Sequence, residues 1–124
     1  MFSPEFCTSS GKHMICDIKN IKNHTLIHDL SGIMHILDHI CGANNFTILN
    51  KIEHRFEPQG ISIIYLLSES HISIHTFPEH NYIALDLYTC RNYTDNSAYL
   101  EIYNYLTDCF HADNECPIII DRCF

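Results

Sequence analysis

A serine that directly follows a glutamate, at the head of a strand of alternating histidines, puts a hydroxyl beside a carbonyl it could attack. The stretch is Leu66-Leu67-Ser68-Glu69-Ser70-His71-Ile72-Ser73-Ile74-His75-Thr76-Phe77-Pro78-Glu79. If the Ser70 hydroxyl adds to the Glu69 carbonyl, the Glu69–Ser70 amide becomes an ester. Removal of the Ser70 α-proton then expels the Glu69 carboxylate and leaves dehydroalanine, which tautomerises and hydrolyses to a pyruvoyl group and ammonia. A chain that did this would make its own electrophile. The pair Glu69 and Ser70 is therefore read as a self-cleavage site.

The elements that must position this site follow from hydrophobic spacing. His71 to Phe77 and Tyr82 to Thr89 alternate apolar with polar residues on either side of Pro78-Glu79-His80-Asn81, which predicts a hairpin. A four-residue connection pairs Phe77 with Tyr82, and counting outward pairs Ser70 with Thr89 and Glu69 with Cys90. Neighbouring strands lie about 4.8 Å apart, so periodicity alone brings Cys90 beside the cleavage site. In this register Ile72 and Ile74 face Leu87 and Leu85, while His71, Ser73 and His75 share their face with Cys90. Ser70 has the opposite parity, which requires a bulge or twist at Glu69–Ser70.

Around the hairpin, Lys12 to Ile18 reads as a first strand after a loose tail. Leu26, Leu30, Ile33, Leu37 and Ile40 recur at helical spacing, and Thr25 and Gly42 are the candidate cap and stop. Phe46 to Phe56 and Ile61 to Leu67 read as strands joined by Glu57-Pro58-Gln59-Gly60. A helix opening at Thr94 or Asp95 has apolar positions Ala98, Ile102, Leu106 and Cys109 or Phe110, and Pro117 to Ile120 reads as a last strand. The sum is β-α-β-β-β-β-α-β, an α+β fold: a two-layer α/β sandwich with an antiparallel-rich sheet and both helices on one face. The other face must then be polar or covered by a partner.

At 124 residues the chain is expected to be a single domain, 1–124. A net charge of −8 with scattered Lys and Arg argues against nucleic acid as a partner and favours a cationic substrate. No apolar run is long enough for a membrane span, and the first residues have no signal-peptide character. The seven cysteines are odd in number and lack a Cys-x-x-Cys pair, which points to reduced thiols and a cytoplasmic protein. His35 and His39 stand one helical turn apart without a third ligand in any recognisable motif, and no metal is expected.

Ser68-Glu69-Ser70-His71, His75-Thr76-Phe77-Pro78-Glu79 and His54-Arg55-Phe56-Glu57-Pro58-Gln59-Gly60-Ile61-Ser62 closely resemble the short prokaryotic-type S-adenosylmethionine decarboxylase proenzymes, over roughly Gly11 to Cys90. The resemblance implies a pyruvoyl-dependent carboxy-lyase cut into 1–69 and 70–124, active as a dimer and supplying the aminopropyl donor for spermidine. It implies Ser70 as the pyruvoyl precursor that takes the substrate amine as a Schiff base, His75 and Ser62 as processing residues, and Cys90 as the proton donor. Phe56 and Phe77 match substrate-side aromatics, and Glu79 is a candidate for substrate hydroxyl or charge contacts. The pyruvoyl group is then the only cofactor.

The chain departs from the family pattern at Phe77, where tryptophan is commoner, at Ile63, where glycine is common, and at Asp121-Arg122-Cys123-Phe124. Relatives decarboxylate arginine or ornithine with the same machinery, so those substrates stay open beside S-adenosylmethionine. A paralogue that folds without cutting and acts as a binding partner is the rival outside enzymology, and a histidine-rich metal binder is another.

Overall fold

Alternate residues of the central strands are buried: Ile61, Ile63, Tyr65 and Leu67 in one, Ile72, Ile74 and Thr76 in the next, Ile83, Leu85, Leu87 and Thr89 in a third. Because a strand sends successive side chains to opposite faces, each carries one core face. The computed structural model, which describes residues 8–124, joins six such strands in one sheet. They are β1 (Ser9–Ile18), β2 (Ile48–Arg55), β3 (Ile61–Leu67), β4 (Ser70–Phe77), β5 (Tyr82–Thr89) and β6 (Ile118–Cys123), in the order β2-β3-β4-β5-β1-β6 with every neighbouring pair antiparallel. The hairpin register is the expected one, from Phe77 opposite Tyr82 to Ser70 opposite Thr89.

Helices α1 (Leu30–Ala43) and α2 (Ser97–Phe110) cover one face of this sheet. Ile33, Leu37 and Ile40 of α1 and Tyr99, Ile102, Leu106 and Phe110 of α2 share a single buried cluster with the inward strand residues. This is the two-layer α+β sandwich that the hydrophobic spacing predicts.

The helix starts differ from expectation. Thr25 makes no side-chain cap; a 3-10 turn occupies Leu26–His28, and α1 begins behind Asp29, whose Oδ1 accepts from the Gly32 N–H at 3.0 Å. A carboxylate satisfies the free N–H groups of a first turn better than a residue one turn upstream can. Gly42 lies inside the last turn, and Asn44 is the C-cap. In α2 the Asp95 carboxylate accepts from the Ser97 N–H at 2.9 Å, and the helix opens at Ser97. The thiols are free at Cys16, Cys41, Cys90, Cys109 and Cys116, but Cys123 is disulfide-bonded, which corrects the expectation of uniformly reduced cysteines.

Among the described residues no helix covers the second sheet face. Its middle, on β4 and β5, is polar, with His71, Ser73, His75, Asp86 and Tyr88 partly exposed. Its margins are apolar: Ile52, Ile64 and Leu66 toward one edge are 63%, 43% and 51% exposed, and Ile15, Ile118 and Ile120 toward the other are 38%, 60% and 44% exposed. Among the described residues no helix is long and apolar enough to cross a membrane.

Candidate active site

The expected irregularity sits at the expected bond. Ser70 has φ 141°, a backbone state that costs a residue with a side chain about 1–3 kcal/mol and survives only where the surroundings impose it. The other non-glycine residues with positive φ, Asn20, Asn45, Asn81 and His111, lie between 48° and 57°, the ordinary left-handed region. The Glu69 carbonyl, which the Ser70 hydroxyl would attack, accepts a hydrogen bond from the Cys90 N–H at 2.8 Å. That N–H is placed to hold negative charge on the carbonyl oxygen as the bond to Ser70 forms. The pairing of residues 69 and 90 read from periodicity is thus a direct backbone contact.

Gly11 makes this contact geometry possible, and the hydrophobic pattern gave it no role. It has φ +114°, and a Cβ placed there would stand 1.8 Å from the Thr89 carbonyl oxygen and 2.7 Å from the Cys90 Cα. Only a glycine lets β1 run this close to the backbone that carries Cys90. The register of β1 against β6 shifts between Ser9 and Gly11, and a glycine within a strand is the one sequence cue to such a spot.

Cys90 is exposed, whereas Cys16 and Cys41 are buried. Burial pushes the Cys16 thiol up to about 12 and the Cys41 thiol up to about 11, with nearby carboxylates, Asp17 for the first and Asp38 for the second, adding to the rise. Alkylation needs an accessible thiolate. Iodoacetamide near neutral pH is expected to label Cys90 and Cys116 while sparing Cys16 and Cys41, and peptide mass spectrometry reads the pattern; labelling of Cys16 before Cys90 would contradict this placement.

A second group lies elsewhere on the open face. Ser62 and His75 are register partners on β3 and β4, and Ser62 Oγ is hydrogen-bonded to His75 Nδ1 at 2.7 Å. Phe77 stacks on Tyr82 with ring centres 5.6 Å apart, Phe56 meets the His54 ring edge-on at 4.5 Å, and Glu79 Oε2 accepts from Gln59 Nε2 at 3.2 Å. Ser62, His75, Phe56, Phe77 and Glu79 therefore gather at one end of the sheet. Ser70, Glu69 and Cys90 gather at the other. Ser70 and His75 lie five positions apart on β4, a span of about 17 Å at the usual rise per residue, which no side chain bridges. The expected site residues therefore form two separate groups within the chain.

Between the halves, His13, Asp86 and His71 meet from three strands, their ligand atoms all within 4.8 Å of one another. His13 Nε2 is hydrogen-bonded to Asp86, and the Arg122 guanidinium donates to His13 Nδ1 at 3.4 Å, a positive charge that works against a cation there. His35 and His39 are exposed on α1, and the His39 ring packs on Tyr105 at 4.7 Å.

The fold and these motifs have counterparts. A proenzyme from Bacillus anthracis, S-adenosylmethionine decarboxylase proenzyme 2, is 41% identical over 80 residues, covering 64% of this chain and 64% of its own length; the chain thus spans a little under two thirds of that relative. The S-adenosylmethionine decarboxylase proenzyme of Methanococcus maripaludis strain C5 is 39% identical over 97 residues, 77% of this chain and 79% of that one. The crystal structure of the adenosylmethionine decarboxylase from Aquifex aeolicus VF5 superposes with a TM-score of 0.80 at 26% identity, covering 94% of this chain and 93% of that one. The family model for S-adenosylmethionine decarboxylase matches residues 12–122, a span that takes in most of β1, both groups of expected site residues and most of β6, so the chain belongs to the S-adenosylmethionine decarboxylase family.

Proposed function

We propose that this chain is the precursor of a pyruvoyl-dependent S-adenosylmethionine decarboxylase, cut by its own chemistry into 1–69 and 70–124. We further propose that it works as a homodimer in which each active site joins the Ser70–Cys90 half of one protomer to the Ser62–His75 half of the other. The observation that carries this reading is the separation of the two half-sites along β4 on a face with a polar middle and apolar margins. A second copy packed sheet to sheet about a two-fold axis buries the exposed isoleucines and brings opposite ends of the two sheets together.

In processing, the Ser70 Oγ bonds to the Glu69 carbonyl carbon and the amide C–N bond breaks, with the proton moving from oxygen to nitrogen. The Cys90 N–H holds the oxyanion formed between these events. Strain at Ser70 is released as its backbone leaves φ 141°. His75, oriented by Ser62, takes the Ser70 α-proton as the Glu69 carboxylate departs. Tautomerisation and addition of water then expel ammonia from the new N-terminus.

The residues fit a pyruvoyl group: its precursor serine stands beside a carbonyl already held by a hydrogen-bond donor, and the residue that donates, Cys90, carries an exposed thiol. Formed from Ser70, the group would supply a carbonyl for the substrate amine and a sink for the electrons freed with CO₂. The Cys90 thiol delivers a proton to the substrate α-carbon. Phe56 and Phe77 offer ring faces for adenine or the sulfonium, and Glu79 offers a carboxylate to hydroxyls or positive charge. The net charge of −8 favours a cationic substrate on approach. Decarboxylated S-adenosylmethionine for spermidine synthesis is the proposed product.

Intact-mass spectra of the purified protein test the processing: two fragments, 1–69 and a pyruvoyl-blocked 70–124, are expected, and full-length chain alone would favour the non-cleaving paralogue. CO₂ release from S-adenosylmethionine, arginine and ornithine, offered side by side, tests the substrate. S-adenosylmethionine is expected to be preferred, and preference for either amino acid overturns the substrate while sparing the mechanism.

A further inference from the structure

We propose that Arg91 is a positioning residue that holds Glu69 in place through the backbone cut, an inference that rests on the self-processing reading above. Its guanidinium donates from Nη1 to the Asn44 carbonyl and from Nη2 to the Asn45 carbonyl, lies 4.9 Å over the Phe46 ring, and stands 3.5 Å from Glu69 Oε2. The Glu69 carboxylate is held from its other side, where Oε1 accepts from the Thr47 N–H at 2.9 Å. Both side chains are thereby tied to one short connection, residues 44–47 between α1 and β2.

The position of this tie in the chain is what gives it consequence. Glu69 carries the carbonyl to be attacked, and Arg91 directly follows Cys90, whose N–H binds that carbonyl. Anchoring the two side chains to the same connection fixes the acceptor and its donor against each other. An exposed ion pair would do little of this, but the Glu69 side chain is only 16% exposed and Arg91 32%, and the arginine fork is spread over fixed carbonyls.

The cut increases the demand on Arg91. Glu69 loses its covalent link to β4 and gains a terminal carboxylate, so residue 69 passes from one negative charge to two. The ion-pair partner recorded for it among the described residues is Arg91. The guanidinium that orders the precursor carbonyl is thus placed to keep the new chain end beside Cys90.

The test is cleavage kinetics of freshly translated wild-type, Arg91→Met and Arg91→Lys chains, followed by intact mass. Arg91→Met is expected to cut about tenfold or more slowly, the scale of a lost charge-assisted contact at the reacting group. Arg91→Lys keeps the charge without the fork and is expected to recover part of the rate. Hydroxylamine, which severs esters, should release no added fragment from Arg91→Met, because the block precedes ester formation. Melting of Ser70→Ala and Ser70→Ala/Arg91→Met chains sets a temperature at which both are folded, and cleavage is read below it. In the cut Arg91→Lys protein, amide exchange at Ser68 and Glu69 is expected to be faster than in wild type. A wild-type chain that cuts beside an Arg91→Met chain cutting equally fast overturns the inference alone, as does hydroxylamine-sensitive ester building up in Arg91→Met. A wild-type chain that stays whole overturns the processing reading and the inference with it.

Discussion

A Ser70→Ala chain and a His75→Ala chain, each uncut and inactive when made alone, are expected to restore cleavage and decarboxylation when coexpressed. Ser70 and His75 lie five residues apart on β4, and an extended strand separates them by about 17 Å. If the processing base acts on Ser70 at all, it must come from a second protomer. A mixed dimer then holds one site with both defects and one with neither, because the intact Ser70 of the His75→Ala chain meets the intact His75 of the Ser70→Ala chain. Random pairing makes half the dimers mixed, so about a quarter of wild-type sites are expected. Mass spectrometry should find cuts only in the His75→Ala chain. Absence of any cleavage in the mixture, with dimers present by light scattering, would place the base within the same protomer and remove the main support for the two-half site.

Gly11→Ala is expected to slow processing by about a hundredfold or more, although Gly11 carries no reactive group. A methyl at this position would stand 1.8 Å from the Thr89 carbonyl oxygen, far inside van der Waals contact, so β1 or the Thr89–Cys90 backbone must move. The φ of +114° adds a conformational penalty of about 1–3 kcal/mol. Displacement of about 1 Å at a reacting centre is enough for a hundredfold loss, and here the displaced group is the N–H that binds the Glu69 carbonyl at 2.8 Å. Folding and chemistry are separated by melting Ser70→Ala/Gly11→Ala against Ser70→Ala, with cleavage measured where both are folded. A Gly11→Ala chain that is folded and cuts at the wild-type rate would mean that the Cys90 N–H contributes nothing to the attack.

Much of the fold was legible because burial on one face forces a period of two. The whole β4–β5 register follows from Ile72, Ile74, Leu85 and Leu87 having to share a face. Helix starts were less legible: Thr25 and Asp29 are both plausible caps, and the choice depends on where the chain leaves the 3-10 turn at Leu26–His28. Tyr99 and Tyr103 were missed as core positions; both are buried, their hydroxyls satisfied by the Lys12 carbonyl and the Glu115 N–H. A tyrosine on a helix reads as amphipathic until a partner for its oxygen is found.

By itself the sequence determined that Cys90 lies across the hairpin from the proposed cleavage pair, Glu69 and Ser70, because strand periodicity and a short turn are local and dictate which residues lie opposite. The tertiary structure decided what distant segments do to that pair. It brought Gly11 against the Cys90 backbone, tied Arg91 to residues 44 and 45, and parted Ser70 from the Ser62–His75 pair by the length of a strand. Those relations depend on which strands become neighbours and how closely their backbones approach, and packing between segments remote in the chain sets both.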